Sequence, residues 1–350
     1  MGSNILISVC IPAYNRAAVL YELLDSILNQ DFDNYEVVIC EDKSPERDQI
    51  GLVANDYMQR YPGRIRYIEN SENLGYDGNI RNVIEQAQGE YCFFMGNDDL
   101  MCPDALSKVA EAVNKHPDAG VVLRSYAAFD GTPDNITQTF RYFEKELFFS
   151  AGPETISTIY RRSVVIPGMV LHRESARKYA TDRFDGTLLY QLYLVANILV
   201  EKNAIYLPDI LVLYRSGGTP DFGNAEAEIG KFVPTEQTPE SSLHFMQGML
   251  DIAGYVERTR HVNIYKAILK DIGNYSLPIL SIQRGKPFFT FVKYCIGLGK
   301  MGFWKNGMFY IYFILLTILG ATGMDKLVVF IKQRLGYTPT IGSIYRGSSD

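Results

Sequence analysis

YCFFMGNDDLM, residues 91–101, runs an apolar strand straight into two adjacent carboxylates, Asp98 and Asp99, and the reading of that join decides the fold. Working outward, NILISVCIPAYN (4–15) is a β-branched run stopped by Pro12 and Asn15, and AAVLYELLDSILNQ (17–30) has Leu20, Leu23, Leu24, Ile27 and Leu28 at helical spacing. YEVVICED (35–42) is a second apolar run ending in acids, and DQIGLVANDYMQRYPG (48–63) reads as a helix stopped by Pro62-Gly63. RIRYIEN (64–70) is a shorter strand. NIRNVIEQAQG (79–89) is a helix with Gly89 placed as its C-terminal cap, and EYCFFMG (90–96) is the fourth strand. Strands apolar on both faces and separated by helices predict an open α/β fold with a mostly parallel sheet covered on both sides. Ligands of such sheets bind beyond the carboxyl ends of the strands. Those ends are Pro12 to Asn15, Glu41 to Ser44, Asn70 to Gly75 and Gly96 to Asp99, four polar loops on one rim.

Composition narrows the function classes. With 350 residues and 47% hydrophobic content the chain can bury a large core and has room for about two domains. A net charge of −6 gives no broad cationic field, so nucleic acid is not an expected partner. The five cysteines are odd in number and none lies in a CxxC spacing, which fits a reducing compartment with thiols as small core residues. The first residues lack a basic segment followed by an apolar one, so no cleavable signal is expected, and catalysis is expected on the cytoplasmic side.

Each rim residue has a plainer reading. Asp42 before a helix can cap it, Asn73 and Gly75 can form a turn, and Asp98-Asp99 can be a turn ahead of a helix near Pro103. Two adjacent carboxylates repel one another, however, unless a cation or donor groups hold them. A divalent ion such as Mg²⁺ or Mn²⁺, bound through one or two carboxylates and substrate phosphate oxygens, resolves the conflict. A diphosphate-bearing substrate follows. Neither GxxxxGK[ST] nor GxGxxG follows the first strand, so the two common nucleotide-binding loops have no footing there.

SVCIPAYNR (8–16), VVICEDKSPE (37–46), NLGYDGNIRN (73–82) and GEYCFFMGNDD (89–99), in this order and spacing, resemble the nucleotide-diphospho-sugar-binding half of family-2 glycosyltransferases with the GT-A fold. The resemblance covers residues 4–125, with traces to about 216; within the family the wording looks most like abequosyltransferase-type enzymes of bacterial O-antigen assembly. It implies a metal-dependent enzyme of hexosyltransferase type, making an inverting transfer from a nucleotide sugar to an acceptor hydroxyl. Carried over, Pro12, Ala13, Tyr14 and Asn15 line the nucleoside and Asp42 accepts a hydrogen bond from the base. A carboxylate accepts but does not donate, which favours UDP or dTDP, with CDP possible. Arg81 sits beside the base or diphosphate, Asn73 and Gly75 shape the loop below it, Asn97 belongs to the donor set, Asp98 holds the ribose and Asp99 ligates the metal. Many relatives carry an acid where this chain has Gly96, so thin protein ligation of the metal is expected.

An inverting transfer needs a general base. The resemblance points to an acid ahead of a helix in the second half, and in DRFDGTLLYQLYLVANIL (182–199) that is Asp185, with Asp182 as alternate; helix capping is the plainer reading. SVVIPGMVLHRES (163–175) reads as a strand with a Pro-Gly turn, and AIYLPDILVLYRSGG (204–218) as a late strand ending in Tyr214-Arg215, a cation suited to diphosphate. His172 reads as structural. Residues 217–242 lack apolar periodicity and suit either a mobile loop closing over bound donor or a plain linker.

The expected organisation is a donor-binding half at 1–125, an acceptor-side half at 126–216, the loop 217–242 and a helical region at 243–350. The uncharged stretch Asn306–Met324 is at the low edge of what a spanning helix needs, and its flanks carry Trp304, Lys305, Lys326, Lys332 and Arg334. Such a segment suits a helix in the membrane interface, or alternatively a buried helix or homo-oligomer contact. The combined expectation is a peripheral or monotopic transferase on the cytoplasmic face of the inner membrane. It would act on a lipid-linked glycan acceptor in bacterial surface polysaccharide synthesis. A sugar-nucleotidyltransferase and a non-catalytic sugar-nucleotide-binding module are the alternatives.

Overall fold

The structure is a computed structural model describing residues 5–218 and 221–335, with the side chains of 321, 325 and 328–335 excluded; Lys332 and Arg334 therefore lie outside the described side chains. The chain runs through β1 (Ile7–Ala13), α1 (Ala17–Leu28), β2 (Tyr35–Glu41), α2 (Arg47–Arg60), β3 (Ile65–Glu69), α3 (Gly75–Gln86), β4 (Tyr91–Phe94), β5 (Leu100–Met101), α4 (Ala105–Lys115) and β6 (Ala119–Phe129). The second half adds β7 (Ile136–Phe140), β8 (Leu147–Phe149), α5 (Pro153–Ile159), β9 (Val170–His172), α6 (Arg173–Lys178), α7 (Tyr190–Ile198) and β10 (Asn203–Arg215). Helices α8 (Pro239–Arg260), α9 (Tyr265–Asn274), α10 (Ser276–Ile282), α11 (Phe288–Lys300) and α12 (Gly307–Leu335) complete it.

One sheet holds the strands in the order β3-β2-β1-β4-β9-β6-β10-β5, with β7 on β6 and β8 on β10. The alternation of strands and helices predicts the parallel pairing of β1 with β2 and β4, and of β2 with β3. Beyond β4 the expectation of a mostly parallel sheet needs correction. β9 pairs antiparallel with both β4 and β6, and β5, β7 and β8 pair antiparallel with their neighbours, leaving β6–β10 as the parallel pair of that half. Three-residue β9 sits antiparallel between β4 and β6, so no crossover helix is needed there.

The pleat sends alternate side chains to opposite faces. Val9, Ile11, Val37 and Ile39 pack with Leu20, Leu24 and Ile50 on the α1–α2–α4 side, while Cys10, Val38 and Cys40 pack with Ile80 and Val83 on the α3–α7–α8 side. The helical region joins this second core through Met249, Ile272, Tyr294 and Phe309, all buried. β6 runs across the expected boundary at 125/126. Gly89 is not the cap of α3, whose C-cap is Ala87; a Cβ at Gly89 would lie 2.6 Å from the backbone nitrogen of Ser8, so glycine is required for the chain to pass β1. His172 accepts from the Ser175 N–H and caps α6.

Among the described residues no helix is long and apolar enough to cross a membrane. α12 nevertheless exposes Tyr310, Ile311, Ile314 and Ile318, the last at 74%, on a row spaced three and four residues apart.

Candidate active site

The predicted rim surrounds a cleft of about 750 Å³ at the carboxyl ends of β1, β2 and β4. At one end Asp42, buried, follows β2 and accepts from the Asn70 side chain (2.7 Å) and the Leu74 N–H (2.8 Å) through Oδ1. It fastens the 70–74 loop instead of capping α2. Asn70 also bonds Asn79 and Asn82, and Asn79 reaches the Cys40 carbonyl (2.9 Å), so three asparagines tie α3 to β2 beneath the cleft. Burial pushes the Asp42 carboxyl up to about 6, against the lowering effect of these donors. Asn73 accepts from the Gly75 N–H (3.0 Å), and Gly75 at φ 74° sits under Ala225 and Glu228, where a Cβ would come within 2.8 Å of both.

At the other end Asn15 and Arg16 hold positive φ, 53° and 66°, which turns the chain sharply after β1. The Asn15 carbonyl accepts from the Asn97 amide (2.6 Å), and Arg16 pairs with Asp98. Asp99 Oδ1 accepts from the Arg215 N–H (2.9 Å), and the Arg215 Nε–H donates to the Asp98 carbonyl (2.8 Å). The end of β10 therefore braces the two acids from behind, with the Arg215 fork completed by Glu22 (2.6 Å). Asp98 is raised by burial, with Arg16 opposing; Asp99 is pushed up to about 8 by burial and by the charge of Asp98. A Cβ at Gly96 would meet Asp99 Oδ2 at 2.6 Å, so an acid at this position cannot be accommodated without moving Asp99.

Of the sequence-predicted residues, Pro12, Tyr14, Asp42, Asn73, Gly75, Asn97, Asp98, Asp99 and Arg215 all border the cleft. Asn15 adjoins it through its bond to Asn97, and Ala13 is buried at the end of β1, its carbonyl accepting the Asp42 N–H (2.9 Å). Arg81 and Asp185 are not brought to the cleft. They face each other on the outer side of α3 in a two-pronged ion pair, both contacts 2.7 Å. Arg81, expected by the base or diphosphate, and Asp185, expected as the general base, thus meet each other and not the cleft. The alternate, Asp182, is exposed.

Sequence reasoning passed over Arg16, Asp77, Asp221 and Glu228. Asp77 accepts from the backbone N–H groups of Thr187 (3.0 Å), Leu188 (2.9 Å) and Tyr190 (2.8 Å), fixing a turn in which Leu188 has φ 62°. Glu228 accepts from the Tyr76 N–H (2.8 Å) and the Gly223 N–H (2.7 Å), and Phe222 meets Tyr76 edge-on at 5.5 Å. Asp221 lies 3.4 Å from the Asn15 amide and 3.7 Å from Arg16 Nε. Residues 221–236 are thus a strap laid over the start of α3 and the rim. The pairing of Arg16 with Asp98 had a signal in the shared rim loops, whereas the strap contacts join positions about 150 to 200 apart.

No group of three or more His, Cys, Asp or Glu among the described residues could hold a metal ion. Asp99 is a single carboxylate with one oxygen tied to a backbone N–H, beside a second acid already paired with Arg16. That donor set fits an ion bridging protein to substrate phosphates and not a self-sufficient protein cage.

Residues 8–178 match the model of Glycosyl transferase family 2. Abequosyltransferase RfbV of Salmonella typhimurium is 39% identical over 102 residues, 29% of this chain and 31% of that one. The GalNAc(5)-diNAcBac-PP-undecaprenol beta-1,3-glucosyltransferase of Campylobacter jejuni is 34% identical over 110 residues, 31% of this chain and 35% of that one. The chain thus spans about a third of the length of these two relatives. Among solved structures, S. aureus TarS 1-349 in complex with UDP-GlcNAc superposes with a TM-score of 0.55 over 95% of this chain and 92% of that one, at 16% identity. The mannosyltransferase PcManGT of Pyrobaculum calidifontis with GDP-Man and Mn²⁺ gives 0.51 over 91% and 88%, at 15%. These likenesses show the GT-A fold. Residues 8–178, just under half of this chain, are thus similar to glycosyl transferase family 2.

Proposed function

We propose that the protein is an inverting glycosyltransferase that moves a sugar from a nucleoside-diphosphate donor to a hydroxyl of a lipid-linked glycan acceptor in bacterial surface polysaccharide synthesis. The observation carrying this reading is the single cleft that has buried Asp42 at one end and the Asp98–Asp99 pair at the other. Asp42 receives the base N–H, which suits uracil or thymine; Asp98 takes the ribose hydroxyls. Asp99, with diphosphate oxygens, would hold a divalent ion, which when bound neutralises the charge developing on the leaving nucleoside diphosphate. The acceptor oxygen attacks the anomeric carbon as the bond to the β-phosphate oxygen breaks on the opposite side, and a carboxylate takes the hydroxyl proton. Asp185 serves as that carboxylate only with Arg81 displaced, whereas Asp221 already borders the cleft; the rates of D185N and D221N decide between them. Named relatives and neighbours support the substrate classes: one acts on a PP-undecaprenol acceptor and others bind UDP-GlcNAc or GDP-Man. The exposed apolar row of α12 suits a helix resting in a membrane surface, at the cytoplasmic face where nucleotide sugars are supplied.

The test is product analysis with UDP-, dTDP-, CDP- and GDP-sugars and a lipid-linked glycan. Acceptor-dependent release of nucleoside diphosphate supports the proposal. Release of pyrophosphate from a sugar phosphate and a nucleoside triphosphate would establish a nucleotidyltransferase, and binding with no release under any condition would leave a binding module.

A further inference from the structure

A second cavity, of about 330 Å³, lies between the strap and helices α8–α11. Met246 and Met249 of α8, Ile272 of α9 and Ile279 of α10 form its floor, and Phe232 and Val233 of the strap form its roof. It is continuous with the cleft, because Val164, Leu188, Phe222 and Phe245 border both spaces. Its volume is at the lower end of small-ligand sites, and its walls are apolar apart from a few groups. Glu236, the acid on its lining among the described residues, is paired with Lys286 (3.0 Å). The cation on its lining is Arg161, three residues before Val164.

The surroundings of Arg161 indicate a missing negative charge. Its Nε–H donates to Asp271 (2.6 Å) and its guanidinium lies flat on Tyr275, 3.7 Å from the ring centre. Neither terminal nitrogen has a hydrogen-bond partner among the described residues. The same Asp271 oxygen also serves buried Arg162 at 3.5 Å, so one carboxylate stands between two guanidinium groups. A planar cation held at the edge of an apolar cavity, with donors to spare and its one carboxylate shared with a second guanidinium, is suited to receive a phosphate.

We propose that this cavity binds the carrier of the acceptor: an isoprenoid-type chain lies on α8–α10, its phosphate or diphosphate meets Arg161, and the attached sugar enters the cleft past Val164 and Phe222. The proposal rests on the lipid-linked reading of the acceptor given above. It adds where the carrier sits and why the strap is needed to make that place.

Binding is tested on the full chain, without turnover, by calorimetric titration with farnesyl diphosphate, farnesol and inorganic pyrophosphate. Farnesyl diphosphate is expected to bind at least tenfold more tightly than either fragment, since each fragment engages one half of the site. R161Q is expected to weaken farnesyl diphosphate at least tenfold while leaving farnesol unchanged. Because R161Q disturbs Asp271, two further variants keep the test independent of folding: I282D and V233D, at lining positions 45% and 47% exposed, place charge at the mouth of the cavity and weaken farnesyl diphosphate and farnesol alike. A wild-type protein that binds pyrophosphate as tightly as farnesyl diphosphate, or affinities unmoved by all three changes, would overturn the proposal. Transfer to the same glycan on a short water-soluble aglycone is measured alongside. Its retention with failed farnesyl diphosphate binding removes the carrier site alone, and its loss with binding intact removes the transferase reading.

Discussion

Asp77 gives a sharp test of how the two halves of the sheet are held together. Replacing it with alanine removes the acceptor of three backbone N–H groups on the turn leading into α7, in a region where Leu188 and Tyr190 are buried. An orphaned buried donor costs about 1–3 kcal/mol, and partial entry of water into the space left behind favours the lower half of that range, so D77A, with three such donors, is expected to lose about 3–6 kcal/mol. D77N keeps one oxygen for Thr187 and Leu188 but turns an amide N–H toward that of Tyr190, and is expected to lose about 1–3 kcal/mol. Burial pushes the Asp77 carboxyl from its ordinary 3.8 up to about 7. The native state therefore keeps a proton that the unfolded chain has released between those values. Its stabilising contribution is complete below about pH 4 and is lost as pH rises to 7, by at most about 1.4 kcal/mol per unit. The advantage of wild type over D77N should narrow across that window. Denaturant titrations followed by circular dichroism at several pH values measure both effects. A D77A loss under about 1 kcal/mol, or a pH-independent gap between wild type and D77N, would refute the reasoning.

Asp42→Asn should raise the donor KM about ten- to 150-fold with little change in kcat, because a charged acceptor to the base is worth about 1.5–3 kcal/mol; steady-state kinetics read this directly. Since its carboxyl is pushed up to about 6, wild-type donor affinity should fall as pH drops through 6, and that dependence should vanish in D42N. Chelation should abolish transfer, and D99N should bind donor with the same affinity with or without Mn²⁺ in calorimetry; full rates in chelator would remove the ion from the proposal. I314D with I318D should weaken binding to anionic vesicles in flotation assays while leaving the thermal midpoint within a few degrees, as both side chains are at least half exposed.

The first half was legible because its signals are local. Apolar runs at β1, β2 and β4 and the spacing of Leu20, Leu24 and Ile27 are each complete within a dozen residues, and parallel pairing then places the four loops on one rim. The rim loops followed from position, and Asp42, Asp98 and Asp99, which lie in them, all border the cleft. The second half was less legible because its structure depends on distant contacts. An acid ahead of a helix points to Asp185, yet the turn that carries it is folded back onto α3 by Asp77, about 110 positions away, and Arg81 then occupies both its oxygens. Three-residue β9 has too little sequence to announce an antiparallel insertion. The strap, poor in periodicity, reads as a mobile loop or a plain linker, and its folding rests on Glu228 and Phe222 meeting the start of α3.

That strap, residues 221–236, is at once the roof of one chamber and a wall of the other. Any shift of Phe222 that suits a ligand in the first alters the space left in the second. Thermodynamic linkage then makes the effect mutual: if nucleotide in the cleft tightens the hold on a lipid phosphate tenfold, the lipid phosphate must tighten the hold on nucleotide tenfold. The enzyme would commit to turnover as a ternary assembly, with wasteful hydrolysis suppressed whenever one partner is missing.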